Sequence, residues 1–417
     1  MDGNGDDIRL DDLPGGMTGD SFAADWNLRA DTTYLNHGSF GLPPEPVHRA
    51  HQCWLARMSR QPMDFFVRQL EPLWLAARGR LAELIDAPPD SLAFVDNATY
   101  GMNVVASSFP LGPHDEVLLT DHEYGAVTRI WQRAARESDA PPPVIASIPW
   151  PLHDPHEVVD AIFSAVTPRT RLIVVSHITS PTALILPVET ICEEARRRGI
   201  ATCVDGPHAI AQVDVSLRRM APDFYVASLH KWLAAPLGTG FLYVDPKWHQ
   251  RMRPVVLSWG RLPPTEPAAW WHEFVWRGTS HAAAIPAIPA AIDYLDRHVG
   301  LERFRQQTHS LARYARTRLL DRWCTTPWTP DDGRFYGSMA CVPIPWGDAA
   351  SLQRRLWERH GIEVPVIEFQ NTRMVRVSCH LYNRADQIDR LDAALAEEIM
   401  AESNGEGPHT TGASEKV

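Results

Sequence analysis

No run of basic residues stands out in this 417-residue chain, and 40 Lys and Arg against 51 Asp and Glu leave a formal net charge of -11. Nucleic acid and anionic membrane surfaces call for a concentrated positive face, so neither is an expected partner, and a small molecule is. Long apolar runs are missing as well. The longest uncharged stretches, such as Ile178–Val188, fall well short of the roughly 20 residues that a bilayer-spanning helix requires. The six cysteines (Cys53, Cys192, Cys203, Cys324, Cys341, Cys379) are scattered, with no C-x-x-C pair and no secretory signal ahead of them. A zinc knuckle and a disulfide framework are therefore not expected, and a reducing cytoplasm is the expected location.

Several catalytic signatures are absent too. His122-Glu123, His156-Glu157 and His272-Glu273 each lack a second His four residues after the first, so the helical zinc-protease motif is missing and no metal is expected. There is no G-x-S-x-G elbow, no G-x-x-x-x-G-K-[ST] loop and no G-x-G-x-x-G turn. The common α/β hydrolases, nucleotide kinases and dinucleotide enzymes lose support accordingly.

What is present is an alternation of buried strands and amphipathic helices. Continuous apolar runs at Leu92–Val95, Glu116–Thr120, Arg171–Ser176, Ala201–Asp205, Phe224–Ser228 and Phe241–Val244 read as strands covered on both faces. Helical periodicity marks Glu71–Asp86, stopped by Pro88-Pro89, and Val188–Arg198, closed by Gly199. This pattern predicts an α/β fold with a mostly parallel sheet and ligands at the carboxyl ends of its strands. After Asp245 the character changes to a Trp/Pro/Arg-rich stretch (Ser258–Arg277). Long helical patterns (Ala290–Arg322, Ala349–His360) and short strands (Met339–Pro343, Arg373–Ser378) follow, as in a second, smaller α+β domain.

Polar residues stand where the apolar strands end. Asp205 closes one run and leads into Gly206-Pro207-His208-Ala209; it is either a turn-capping carboxylate or one that pairs with a cationic ring nitrogen. Lys231 follows the next run in Ser228-Leu-His-Lys-Trp232; it is either a lysine reaching solvent or a desolvated, nucleophilic amine. Together they are what pyridoxal 5′-phosphate requires: a lysine for its aldehyde and an aspartate to keep its pyridine nitrogen protonated. Asn97-Ala-Thr-Tyr-Gly101, ahead of a helix expected at Met102–Ser107, offers hydroxyl and amide donors for the phosphate.

Eight stretches in order carry a family resemblance along nearly the whole chain. They are Tyr34-Leu-Asn-His-Gly-Ser-Phe-Gly41, Asn97-Ala-Thr, Asp121-His-Glu-Tyr-Gly-Ala126, Ser176-His-Ile-Thr-Ser-Pro-Thr182, Asp205-Gly-Pro-His-Ala209, Ser228-Leu-His-Lys231, Arg277-Gly-Thr279 and Arg376-Val-Ser-Cys-His-Leu-Tyr-Asn383. On these residues the sequence resembles the class V aminotransferase-fold pyridoxal phosphate enzymes, and among them the isopenicillin N epimerase-like group. That group also includes carbon–sulfur lyases.

The resemblance implies a fold type I (aspartate aminotransferase-like) architecture. In it, tails at 1–20 and 402–417 flank a segment at the active-site mouth (21–44), a large cofactor domain (45–285) and a small C-terminal domain (286–401). It implies Lys231 as the lysine bonded to the cofactor and Asp205 as the pyridinium partner. Tyr124 would stack on the ring, with Ser180 and His208 beside it. Ala98, Thr99, Ser228 and His230 would hold the phosphate, and Thr279 would reach it from the neighbouring subunit of a homodimer. Arg376 would grip the substrate carboxylate, with Asn36 and His37 lining the mouth.

Departures from the family pattern bear on the reaction, among them Ala183 in place of a usual glycine. Ser180 stands where desulfurase-like relatives carry asparagine, and Gly278-Thr279-Ser280-His281 replaces the common Gly-Thr-Arg-Asp. No cysteine-bearing loop for persulfide is seen, although Cys379 closely follows Arg376. Expected reactions are β-elimination from a cysteine S-conjugate in antibiotic-type metabolism, epimerisation of an aminoadipoyl side chain, or decarboxylation-coupled oxidative deamination. His37, Tyr100 and His281 are the candidates for a second acid.

Overall fold

The computed structural model describes residues 20–403. The expected tails thus lie outside the described residues, apart from Asp20, Glu402 and Ser403. Seven strands form the central sheet: β2 (Leu92–Val95), β3 (Glu116–Thr120), β4 (Val144–Ala146), β5 (Thr170–Ser176), β6 (Ala201–Asp205), β7 (Phe224–Ser228) and β8 (Gly240–Val244). Their spatial order is β2-β8-β7-β6-β5-β3-β4. From β4 through β7 every pairing is parallel, while β8 runs antiparallel to both β7 and β2. The connection 229–239 leaves no room for a crossover helix, so the chain must return antiparallel. The mostly parallel, fully covered sheet expected from the apolar runs is therefore observed.

Helices cover both faces. In α4 (Gly125–Glu137) the buried positions Val127, Trp131, Ala134 and Ala135 recur at helical spacing, and in α6 (Val188–Arg197) so do Val188, Ile191, Cys192 and Ala195. Burying a side chain such as Ile191 contributes on the order of 1.5–3 kcal/mol. Gly199 follows α6 with φ +69°, as its position after the last helical turn requires. Ahead of these, α1 (Glu45–Arg60) and α2 (Leu70–Leu84) precede β2, α3 (Ala98–Ser108) follows it, and α5 (His156–Ser164) precedes β5.

In the C-terminal part, β9 (Met339–Pro343), β11 (Val366–Phe369) and β12 (Thr372–Ser378) form an antiparallel sheet in the order β11-β12-β9. It is accompanied by α7 (Leu301–Trp323), α8 (Ala349–His360) and α9 (Ala385–Ser403). The single helix expected over Ala290–Arg322 is instead broken. A short helix (Ile288–Asp293) runs into a wide turn (Tyr294–Val299), and Gly300, at φ +86°, resets the chain before α7. Helix α9 also extends past the expected boundary at residue 402, because Glu402 pairs with Arg355 and Arg373.

The N-terminal segment is stitched to this C-terminal part. Strand β1 (Thr33–Tyr34) pairs in parallel with β10 (Ile362–Glu363), and the Ser378 amide donates to the Leu35 carbonyl at 2.9 Å. This leaves residues 36–41 lying across the ends of the central strands.

Candidate active site

The carboxyl ends of the parallel strands open into a cavity of about 360 Å³ walled by the loops after β2, β5, β6 and β7, by Tyr124, by Arg376 of β12 and by Gly38–Phe40. This is where an open α/β sheet places its ligand. Asp205 ends β6 between Ser176 of β5 and Val226 of β7, so strand register alone fixes its position. Among the described residues its carboxylate makes no hydrogen bond. Burial, reinforced by the carboxyl of Glu123 and opposed by Lys231, pushes its pKa up to about 7. A cationic N–H donor in the cavity would relieve that penalty.

Lys231 lies in the connection between β7 and β8, with its side chain on the cavity wall. Desolvation, aided by Arg376 and opposed by Asp205, lowers its pKa to about 8. Its Nζ lies 3.2 Å from His208 Nε2. The backbone beneath is held by His37, whose Nε2 contacts the Lys231 carbonyl at 3.0 Å and whose Nδ1 contacts Tyr382 Oη at 2.9 Å. The approach is so close that a Cβ on Gly41 would lie 2.1 Å from the His230 carbonyl and 2.5 Å from that of Lys231.

Helix α3 begins earlier than expected, at Ala98 rather than Met102. The Asn97 side chain caps it by accepting the Tyr100 amide at 2.9 Å. Ala98 and Thr99 therefore occupy the first turn, where backbone amides face outward and the helix dipole favours an anion. The Ala98 amide donates to Ser228 Oγ at 3.0 Å, tying this turn to the end of β7. His230 adds a buried Nδ1 with no partner among the described residues, its ring held neutral by burial and by Lys231, which lower its pKa to about 4. An anion with several oxygens suits this corner.

Across the cavity stands Arg376. It is 4% exposed, and among the described residues its donors reach only the Ser180 carbonyl and hydroxyl and Ser39 Oγ, leaving Nε without a partner there. Tyr124, half exposed, forms part of the wall at the N-cap of α4.

Ala98, Thr99, Tyr124, Ser180, Asp205, His208, Ser228, His230, Lys231 and Arg376 are thus brought together. Two expected residues, His37 and Asn36, are not. His37 is fully buried behind the lysine loop and supports it from below rather than lining the mouth. Asn36 donates to Glu363 Oε1 at 3.2 Å, also off the cavity. Thr279 is exposed in a loop whose neighbour Arg277 pairs with Asp96 at 2.7 Å. Of the candidate second acids, Tyr100 lies under the Arg277 guanidinium and His281 packs on His51.

Glu123 is a residue the sequence did not single out. It is buried, accepts hydrogen bonds from Thr120 Oγ1 and Ser176 Oγ, both at 2.7 Å, and has its pKa raised to about 7 by desolvation. A carboxylate flanked by His122 and Tyr124 after an apolar strand was the available signal.

The residues fit pyridoxal phosphate: an anion corner at a helix N-terminus, a free carboxylate for a ring N–H, and a desolvated amine between them. Comparisons with known proteins agree. The model of the family "Aminotransferase class-V" matches residues 49–391. Isopenicillin N epimerase of Amycolatopsis lactamdurans is 40% identical over 386 residues, covering 89% of this chain and 96% of that protein. L-cysteine desulfhydrase of Arabidopsis thaliana is 27% identical, with 87% of each chain covered. Among solved structures, the cystine C-S lyase C-DES in complex with its reaction product cysteine persulfide aligns with a TM-score of 0.75 at 23% identity, over 88% of this chain and 98% of that one; this likeness concerns the fold. On the family match and the 40% identity, the chain belongs to the class-V aminotransferase family and is a pyridoxal phosphate-dependent enzyme of that fold.

Proposed function

We propose that this enzyme removes the Cα proton of an L-amino-acid-type substrate and cleaves a carbon–sulfur bond by β-elimination in a cysteine S-conjugate, in antibiotic-type metabolism. Arg376 carries the amino-acid reading. A guanidinium this deeply buried, with no carboxylate partner among the described residues and an orphan Nε, calls for an anion, and its planar fork suits a carboxylate.

Pyridoxal phosphate, when bound, supplies an electron sink for the pair left at Cα. The first turn of α3 with Ser228 and His230 would hold its phosphate, and Asp205 would keep a proton on its ring nitrogen. Tyr124 offers an aromatic face to the ring. Lys231, with a pKa near 8, is partly unprotonated at neutral pH and takes the Cα proton as general base. The electron pair of the broken Cα–H bond forms the Cα–Cβ double bond as the Cβ–S bond breaks. A thiol's ordinary pKa of about 8.5 lets sulfur leave without a strong acid.

Elimination needs one base, whereas two-base epimerisation needs a second proton carrier. None of His37, Tyr100 and His281 lines the cavity, which supports elimination. Epimerisation is the second reading: two isopenicillin N epimerases are 40% and 38% identical, and the Tyr124 phenol at the cavity wall is a candidate acid. Persulfide transfer gains no support, since no cysteine lines the cavity and burial pushes the Cys341 thiol up to about 12. A homodimer is part of the proposal. Thr279 is exposed off its own chain's cavity, and Val255, Val256, Leu257 and Trp259 form an exposed apolar stretch that a second copy would cover.

Incubating the holoenzyme with S-alkyl cysteines and, separately, with isopenicillin N distinguishes the readings. Release of pyruvate and thiol is expected from the first. Inversion of the aminoadipoyl carbon without such release would replace elimination with epimerisation. Light scattering on the eluting protein reads the dimer.

A further inference from the structure

The hydrogen-bond chain around His208 constrains where one proton can be. The Trp232 indole Nε1 donates to His208 Nδ1 at 3.2 Å, and on the other side of the ring His208 Nε2 lies 3.2 Å from Lys231 Nζ. Trp232 is fully buried, and an indole nitrogen donates only. The Nδ1 lone pair is therefore used by Trp232, and a neutral imidazole must carry its one hydrogen on Nε2. A hydrogen bond from Nε2–H to Lys231 then requires a lone pair on Nζ, which an ammonium lacks. The main chain beneath the ring is held by Gln212, whose Nε2 donates to the His208 carbonyl at 2.7 Å.

We propose that Trp232 is a positioning residue that fixes His208 as its Nε2–H tautomer and, through it, favours the free amine of Lys231. Two residues adjacent in the chain thus clasp one ring from both sides, so the lysine loop sets its own protonation. Burial, with Lys231, Arg376 and His230 nearby, holds His208 far below its ordinary pKa, so the ring stays neutral and the tautomer is the only variable. The charged and titratable groups facing Lys231 besides His208 are Arg376, which also favours the free amine, and Asp205, which opposes it; His230 adjoins it in sequence.

The test uses the full chain freed of cofactor, so a failure to bind pyridoxal phosphate and a failure of this lock give different results. Only Lys231, Lys247 and Lys416 are present, so protein labelled with ¹³C at the lysine ε-carbon gives three signals, and Lys231→Ala identifies the relevant one. Ring-¹⁵N histidine labelling, with His208→Gln for assignment, reads the tautomer. The unmodified chain is expected to show His208 protonated at Nε2 and bare at Nδ1. Trp232→Phe frees Nδ1 and lets Nε2 accept from the ammonium, so the Lys231 midpoint rises by about one pH unit, the size of one net hydrogen bond. Should Trp232→Phe fail to fold, benzothienylalanine at position 232 keeps the bicyclic ring and replaces the N–H with sulfur. A His208 protonated at Nδ1 in the unmodified chain overturns the inference, as does a lysine midpoint that stays in place when the indole N–H is removed. A chain showing the expected tautomer and shift yet binding no pyridoxal phosphate keeps the lock and overturns the functional reading.

Discussion

His37 Nε2 holds the main-chain carbonyl of Lys231 at 3.0 Å, joining the N-terminal segment to the loop that carries the Lys231 amine. Gly41 lies in the same contact, where any Cβ would overlap two backbone carbonyls that cannot move independently of Lys231. Gly41→Ala is expected to destabilise the chain by about 1–3 kcal/mol, the range for overpacking. It should also weaken cofactor retention. Thermal melting checks the first expectation and cofactor content after dialysis the second; a melt like that of the unmodified chain would contradict the close packing.

Arg376 is expected to act through charge and shape together. Arg376→Ala should lower kcat/KM by about 10- to 100-fold, the value of a charge-assisted hydrogen bond of 1.5–3 kcal/mol. Arg376→Lys should recover only part, because a point charge does not reproduce the fork. The pKa of Lys231 in cofactor-free Arg376→Ala should rise, since Arg376 is one of the groups lowering it.

Glu123 predicts a pH dependence of stability. Burial raises its pKa from an ordinary 4.5 to about 7, so between those values the folded state binds more protons than the unfolded state. Stability must then fall as pH rises through that window, by about 3 kcal/mol. Glu123→Gln removes the effect and, by removing the like charge beside Asp205, lowers the Asp205 pKa. Melting temperatures of the cofactor-free chain from pH 5 to 7 should decline less steeply in Glu123→Gln; parallel slopes would show that this carboxyl does not titrate there.

Glu402 fixes the end of α9. Its carboxylate pairs with Arg373 at 2.9 Å, and Arg373 is almost fully buried, supported otherwise by backbone carbonyls such as that of Trp346 at 3.2 Å. Glu402→Gln is expected to cost about 1–3 kcal/mol, read by denaturant unfolding, because it leaves a buried cation without its counter-charge. No measurable loss would mean the carbonyls suffice.

The central strands were legible because burial on both faces forces continuous apolar runs, and their polar termini pointed directly to Asp205 and Lys231. The break at Gly300 was hidden, since apolar periodicity runs through it and only the positive φ ends the helix. The early start of α3 was hidden as well, because its first turn carries little amphipathic signal and depends on the Asn97 cap. Glu123 and Trp232 escaped for a related reason: a buried acid's partners and an indole's acceptor come from distant segments.

By itself the sequence determined which residue types stand at and just after the strand ends, Asp205 and Lys231 among them, because strand periodicity is local. Only the tertiary structure decided that His37 supports the lysine from beneath, that Arg376 is buried with no counter-ion among the described residues, and that His208 is clasped between Trp232 and Lys231. Those relations join residues far apart in the chain, and only folding sets the distances, the desolvation and the donor directions on which they depend.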